Sequence, residues 1–380
     1  MKSQNIEKVP NQAFHDYNNR RLSLIIIGSE AGLFRPNSEA RQRLQGYAPS
    51  FSQLHIIVFS KTSQRLPAKP VFVEPNIWLY ATNSRSSWLY IWDAWRIGRL
   101  LPPVEGISAQ DPFESGLVAW FLARFFKIKL QLQIHTDFLN PHFISESLLN
   151  RLRVQLASFL LPRADKIRVV SQRIVNSLKA KGDKLKAVPI ILPVFVNIEK
   201  IKQMPIKTDL RKKYPQFDKI ILMASRLTRE KNISLAIEAM REVVKQYLQT
   251  GLIVVGSGPE ESRLKLKAES SKLKTNVVFE PWTDDLISYY KTADLFINTS
   301  YYEGYGRTIV EALATGCPVL STDVGLVNEA NYQGLTVITD NNIVELINKH
   351  LVAKPPAVDI SLPYSSRADY LHQYQQSWLS

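Results

Sequence analysis

One cysteine in 380 residues, Cys317, leaves nothing for an internal disulfide to close. It lies between Gly316 and Pro318, away from any cluster of histidine and cysteine, and reads as packing in a reducing compartment or in a chain indifferent to redox state. No run of about 18 apolar residues occurs, so no segment reads as a membrane-crossing helix. The opening MKSQNIEKVPNQAFHDYNNRR carries no apolar core of a secretory leader. These absences predict a cytoplasmic protein, with the inner face of the plasma membrane as a place for peripheral contact. Internal repeats and low-complexity tracts are missing, which excludes solenoids and disordered linkers. Acid is in short supply: 34 Asp and Glu stand against 48 Lys and Arg, for a formal charge of +14 and a pI near 9.6.

The excess of base is concentrated. Residues 140–213 hold 16 Lys and Arg against 5 Asp and Glu. Such a surface suits nucleic acid, an anionic membrane, a polyphosphorylated substrate, or solvent alone. The remaining composition, 45% hydrophobic and 22% charged, is that of a globular chain long enough for two cores.

Short apolar runs alternate with longer amphipathic segments, which predicts β-α-β units around mostly parallel sheets. In the first half, strands fit Leu22–Gly28, Leu54–Ser60, Ile77–Tyr80, Leu130–His135 and Lys166–Val170. Helices there fit Glu39–Tyr47, Trp88–Leu101, Phe113–Phe126, Ser145–Leu160 and Ser171–Ala180. In the second half, strands fit Lys219–Ala224, Gly251–Gly256, Val277–Glu280, Leu295–Thr299, Pro318–Ser321 and Thr336–Ile338, with helices between them and at Ile343–Leu351. The Pro- and Lys-rich stretch Pro189–Pro215 reads as the connection. This divides the chain into an N-terminal domain over 1–195, a C-terminal domain over 196–363 and a last helix over 364–380. Two doubly wound sheets place a ligand crevice at the carboxyl ends of their strands.

Motifs collect at those ends. Ser225-Arg226 follows one strand and Lys231-Asn232 opens the next helix. Gly256-Ser257-Gly258-Pro259 follows another strand, and EGYGRTIVEALATG (303–316) another. On an unbroken helix Glu303 and Glu311 would stand about 80° apart. Gly304 and Gly306 argue instead for a bend, with Glu303 in the loop and Glu311 one turn into the helix. The amides near Arg307–Ile309 would then be free to meet an anion. Each feature also has a plainer reading. Glu311 can be a solvated helix residue, Glu303 a partner of the helix dipole, Arg226 and Lys231 surface cations, and GxGP a tight turn.

The set ASRLTREKN (224–232), VVGSGPE (254–260) and ADLFINTSYYEGYGRTIVEALATGCPVLSTDVG (293–325), with the trailing Glu329, resembles the family 4 retaining glycosyltransferases. ISAQDPFESGLVAWFLAR, QIHTDF and RADKIRVVSQ match that family's N-terminal pattern more loosely. The resemblance implies a GT-B architecture: two Rossmann-like domains facing an interdomain crevice, with the C-terminal helix returning to the first. It implies a hexosyltransferase-type enzyme that uses a nucleotide-sugar donor and a glycan or lipid-linked acceptor, in cell-surface glycan, polysaccharide or glycolipid synthesis. Carried over, Glu303 faces the donor sugar, Glu311 holds the ribose, and Arg226 and Lys231 meet the diphosphate. The loops of Gly256, Gly258 and Gly304, Tyr305, Gly306, Arg307, Thr308 and Ile309 line the donor site, and His135 contacts the sugar from the N-terminal side. Ser171 and Arg173 lie near the crevice without an assigned role.

No metal or other cofactor is implied. Asp-x-Asp, which marks the metal-dependent glycosyltransferase fold, is missing after any strand, and Asp284-Asp285 opens a helix instead. The chain departs from the family pattern at Gly28-Ser-Glu-Ala-Gly32, which lacks a double glycine, at Gly325-Leu326, and at Glu280-Pro281-Trp282 near the base. Two rival classes are a non-catalytic nucleotide-sugar-binding protein of the same fold and a basic nucleic-acid-binding protein. No nucleic-acid module is recognisable, so no nucleic acid partner is expected. In SWLYIWDAWRIGRLL (87–101), Trp88, Trp92 and Trp95 share one helix face, beside Arg96 and Arg99. That stripe is expected to face the core, with an interfacial membrane helix as the alternative.

Overall fold

The computed structural model describes residues 21–182, 184–329, 332–352, 358 and 360–379. All but the last residue of the stretch read for a leader, the Lys-Pro-Pro break and Ser380 lie outside them.

Strand β1 (Leu22–Gly28), β2 (Phe51–Val58), β3 (Val71–Glu74), β4 (Ile77–Ala81), β5 (Gly106–Ala109), β6 (Lys129–Ile134), β7 (Lys166–Val169) and β8 (Pro189–Ile191) form one sheet in the order β3-β4-β2-β1-β5-β6-β7-β8. Only β3 runs antiparallel to its neighbour. Strands β9 (Lys219–Ala224), β10 (Thr250–Val255), β11 (Val277–Glu280), β12 (Leu295–Asn298), β13 (Val319–Ser321) and β14 (Leu335–Val337) form a second, fully parallel sheet in the order β11-β10-β9-β12-β13-β14. Chain order reverses between β1 and β5 in the first sheet and between β9 and β12 in the second. Those are the switch points where a doubly wound sheet opens a crevice.

The first sheet is covered on one face by α2 (Tyr90–Gly98), α3 (Glu114–Phe126) and α5 (Leu148–Leu160), over a core that includes Ile25, Ile107, Leu122 and Ala157. Its other face carries α1 (Glu39–Gln45) and the last helix, α14 (Arg367–Leu379), over Leu24, Phe51 and Leu54. α14 therefore returns from the end of the chain to the first domain. Its Trp378 lies on β5 where Gly106 has no side chain, since a Cβ there would meet the indole at 2.5 Å. Around the second sheet run α9 (Ile233–Gln246), α10 (Glu261–Ser270), α11 (Leu286–Thr292), α12 (Arg307–Ala314) and α13 (Ile343–Val352).

Four expectations change. β3, β5 and β8 are strands the sequence reading lacks, and β5, GISA, shows why. Glycine, serine and alanine carry little strand preference, and only pairing with β1 and β6 extends them. The helix expected over Ser145–Leu160 is two, α4 (Pro141–Glu146) and α5, because Ser147 turns extended and its Oγ caps α5 at the Asn150 amide. The connection narrows, because β8, which follows α6 (Gln172–Lys181), still belongs to the first sheet, while α7 (Ile198–Gln203) and α8 (Leu210–Lys213) come after it. Finally, the tryptophan stripe faces the core only in part, at Trp95, which packs against it. Trp95 is half-buried, but Trp88 and Trp92 are exposed.

Candidate active site

The loop after β12 carries the centre of the site. Ser300 Oγ donates to Glu303 Oε1 (2.9 Å), and Lys231 Nζ reaches the same oxygen at 2.6 Å. Lys231 is delivered by the turn between β9 and α9, where Asn232 takes a left-handed backbone and Thr299 Oγ1 bonds the carbonyls of Lys231 and Asn232. A largely enclosed ammonium and carboxylate thus sit side by side at two adjoining strand ends. Arg226 behaves differently: its side chain is 76% exposed, with one contact to Glu230 at 3.1 Å. The structure pairs Lys231 with Glu303 and leaves Arg226 at the rim.

Gly304 brings the two domains together. A Cβ at this residue would lie 1.9 Å from the His135 carbonyl oxygen, so only glycine lets the Glu303 loop touch the end of β6. Gly306 (φ 95°) caps α12. The free amides expected over Arg307–Ile309 are one fewer, because Ile309 N–H donates to Gly306 O at 3.0 Å and its side chain is core. Tyr305 is buried, and its carbonyl packs on Gly325 where a Cβ would intrude to 2.3 Å; the single glycine before Leu326 keeps that close approach. Thr308 is half-buried in the first turn of α12.

Glu311 is buried and ion-paired to Arg307 Nε at 2.7 Å, while Arg307 also grips Glu39 of α1 across the cleft. Burial raises the Glu311 carboxyl above the ordinary carboxylate value, although Arg307 pulls the other way. The reading of Glu311 as a solvated helix residue fails; Arg307 occupies the carboxylate expected to face a ribose.

Gly256 and Gly258 have a local reason to be glycine. Their missing side chains admit Ser225 O (1.9 Å from a built Cβ) and Leu227 O (2.4 Å), locking the two strand-end loops together. Glu280 is similarly structural. It takes Lys213 Nζ at 2.7 Å, Tyr289 OH at 2.6 Å and the Tyr214 hydroxyl, tying α8 and α11 to β11.

On the N-terminal side His135 is half-buried, and its Nε2–H donates to Gln133 Oε1 at 3.0 Å. Gln133 is itself oriented by donating to Ser108 Oγ (2.8 Å) and by accepting from Arg168 (3.1 Å). The proton is therefore on Nε2, leaving Nδ1 as the lone pair. Burial, then the charges of Arg168 and Arg43, push the imidazole down to about 3, so it is neutral. Arg168 is buried, and among the described residues no carboxylate pairs with it. Its donors go to Leu192 O, Pro193 O, Gln133 and Tyr370 OH, and it stacks over Tyr370 and Tyr374 of α14. Beside this network a cavity of about 430 Å³ opens, lined by Leu44, Phe51, Arg43, Asp111, His135 and Arg307 among others.

Sequence reasoning missed Glu39 and Arg43, which no local motif marks, and Arg168, which lies inside RADKIRVVSQ without an assigned role. It left Arg173 without a role, whereas the structure makes it a clasp. The Arg173 amide donates to Glu329 Oε1 (2.6 Å), and its guanidinium bonds Asp323 and the carbonyls of Gly325 and Val327. Tyr302 OH reaches Glu146 (2.8 Å) on the opposite rim. Among the described residues, no three His, Cys, Asp or Glu side chains gather as a metal site.

Two doubly wound sheets facing one cleft, closed by a helix that returns to the first sheet, define a GT-B fold. Residues 207–353, within the second domain, match the family model described as glycosyl transferases group 1. The chain is 30% identical over 228 residues to the alpha-monoglucosyldiacylglycerol synthase of Streptococcus pneumoniae, a match covering 57% of this chain and 51% of the synthase. The chain thus spans about half the length of that relative. Among solved structures, Anabaena HepE in complex with UDP superposes with a TM-score of 0.66 at 16% identity, over 94% of each chain. Sucrose-phosphate synthase from Thermosynechococcus elongatus superposes with a TM-score of 0.73 at 19% identity, over 93% of this chain and 92% of that one. At such identities the likeness is one of fold.

Proposed function

We infer that this chain is a retaining glycosyltransferase that moves a sugar from a nucleoside diphosphate sugar to an acceptor hydroxyl in glycan or glycolipid synthesis. The observation that carries it is the Lys231–Glu303 contact beside the His135 strand end, in the cleft of a GT-B fold. The bond from the anomeric carbon to the diphosphate breaks, the acceptor oxygen bonds the same face, and the hydroxyl proton is released. Charge grows on the departing diphosphate as the sugar becomes oxocarbenium-like. Lys231 and the amides of Arg307 and Thr308 are the groups to meet that charge, with Arg226 closing from the rim, and no metal is assigned a part. Glu303, freed when phosphate takes over Lys231, faces the sugar. The neutral His135 offers a hydrogen-bonding edge without adding a positive charge beside the oxocarbenium. Glu311 exchanges Arg307 for the ribose hydroxyls.

The names of the relatives support a lipid-linked or glycan acceptor, and the Anabaena complex makes UDP-glucose the first donor to try. A panel of UDP-, GDP- and ADP-sugars, scored by thermal shift and slow donor hydrolysis, tests the reading. One donor should bind and hydrolyse in the presence of chelator. Lys231→Ala and Glu303→Ala should each lower turnover by about 10²–10³. Undiminished hydrolysis in Glu303→Ala, or no binding by any donor, would overturn it.

A further inference from the structure

Helices α2, α3 and α5 lie side by side on the outer face of the first sheet. Gly98, without a side chain, lets Leu122 press against α2, and Trp120 of α3 meets Phe159 of α5 edge-on at 5.4 Å. Their inner faces supply the core, so their outer faces should be polar. They are not. Trp88 at the entry to α2 is 88% exposed and Trp92 59%, with Phe125 of α3 at 58% and Leu152 of α5 at 60%. Leu100, Phe121, Leu148 and Phe159, in or beside the same three helices, are exposed as well. An apolar surface spread over three adjoining helices is more than the scatter of single exposed residues on an ordinary monomer.

The exposed charges of the three helices themselves have one sign, while the exposed Glu146, two residues before α5, accepts from Tyr302 on the cleft rim. Every exposed charged side chain on the three helices is basic: Arg96, Arg124 and Arg151, with Arg99, Lys127 and Arg163 at their ends. The two acids on these helices turn inward. Asp93 accepts Ser84 Oγ at 2.6 Å, and Glu114 is held by Arg153 Nε at 2.9 Å. Arg99, Arg124 and Arg163 lie over Trp95, Trp120 and Phe159, with the guanidinium carbon 3.8–5.5 Å from the ring centroid. Rings and cations are therefore interleaved on one surface.

We propose that this face docks on an anionic lipid bilayer, with its aromatic and leucine side chains in the headgroup boundary and its arginines on lipid phosphate. Amphipathic rings with arginines beside them match that boundary, where apolar depth and negative charge occur together. A second copy is a poor occupant, because a two-fold contact would set this all-basic surface against itself. The docking stands on surface geometry alone, independent of the transfer reaction, and gives an enzyme with a lipid-linked acceptor a place beside it.

The test floats the full chain with vesicles of phosphatidylcholine alone or mixed with phosphatidylglycerol, at low and high salt. The chain should float with the anionic vesicles at low salt and stay behind with the neutral ones. Combined Trp88→Ser, Trp92→Ser, Phe125→Ser and Leu152→Ser should abolish flotation. Arg96→Gln, Arg124→Gln and Arg151→Gln together should weaken it about a hundredfold. Donor hydrolysis, measured on the same preparations without vesicles, should be unchanged in both variants. Its loss in every preparation would count against the transferase reading and leave the docking result standing. No flotation of the wild-type chain, flotation undiminished in the serine variant, or a wild-type dimer that this variant dissolves would overturn the docking.

Discussion

The two halves of the cleft are built in opposite ways. On the C-terminal side, the groups that carry charge each have a partner close to home in the sheet, although Arg307 also reaches Glu39 across the cleft. Lys231 meets Glu303 from the next strand end, Arg307 meets Glu311 one turn away, and Arg226 meets Glu230 four residues on. On the N-terminal side, His135 is held by a relay that starts two residues away and runs to distant parts of the chain. Gln133 orients it, Arg168 orients Gln133, and Tyr370, over 200 residues later, holds Arg168. A half-site assembled from adjacent strand ends leaves motifs in the sequence. One assembled through a returning helix leaves only isolated residues.

The largest effect should come where the halves touch. Gly304→Ala must displace the His135 carbonyl, which is backbone and cannot swing aside. Turnover should fall about 10²-fold while donor still binds by thermal shift, since a shift of about 1 Å at a reacting centre costs about that much. A variant with full turnover would show that the closed contact is dispensable.

The N-terminal half should be the more sensitive to acid. His55, buried under Trp78 and beside Tyr80, is pushed down to about 4 by burial from an ordinary value of 6.5. Between pH 6.5 and 4 the unfolded chain takes up a proton that the folded chain refuses, so stability falls as pH falls through that window. The loss is about 3 kcal/mol at 1.36 kcal/mol per unit. Chemical denaturation of wild type and His55→Gln across this window should show a flatter acid limb in the variant; equal slopes would refute the assignment.

Removing the buried cation that links α14 to the site should cost somewhat less. Arg168→Met leaves the Leu192 and Pro193 carbonyls and Gln133 Oε1 short of donors, a loss of about 2 kcal/mol of unfolding free energy measured by chemical denaturation. A purely structural role would stop there. If Arg168 positions His135 as described, the variant also lowers kcat at constant donor KM, and its imidazole titrates higher by NMR because a cation has been removed.

Much of this was legible beforehand for physical reasons. Parallel strands buried on both faces must be continuous apolar runs, and β1, β9 and β10 read as such. Strand-end loops need glycines and caps, which disclosed Glu303, Lys231 and the bend at Gly304–Gly306. The exposed face of a helix is less legible, because an aromatic stripe can turn inward or outward at equal spacing; the sequence preferred inward for Trp88 and Trp92, and the fold turned them out. Likewise, glycines at 256 and 258 look like ligand loops in a string of letters, while in space they admit a neighbouring carbonyl.

By itself the sequence determined that mostly parallel sheets would form in each half and which charged groups stand on the donor side, since periodicity and turn chemistry are local properties of the chain. Only the tertiary structure decided that Arg307 bridges Glu311 to Glu39, that Arg173 clasps the far domain, and that Arg168 and α14 set the tautomer of His135. Those choices depend on which distant segments come within about 3 Å of one another, and loop closure and packing fix that, not spacing along the chain.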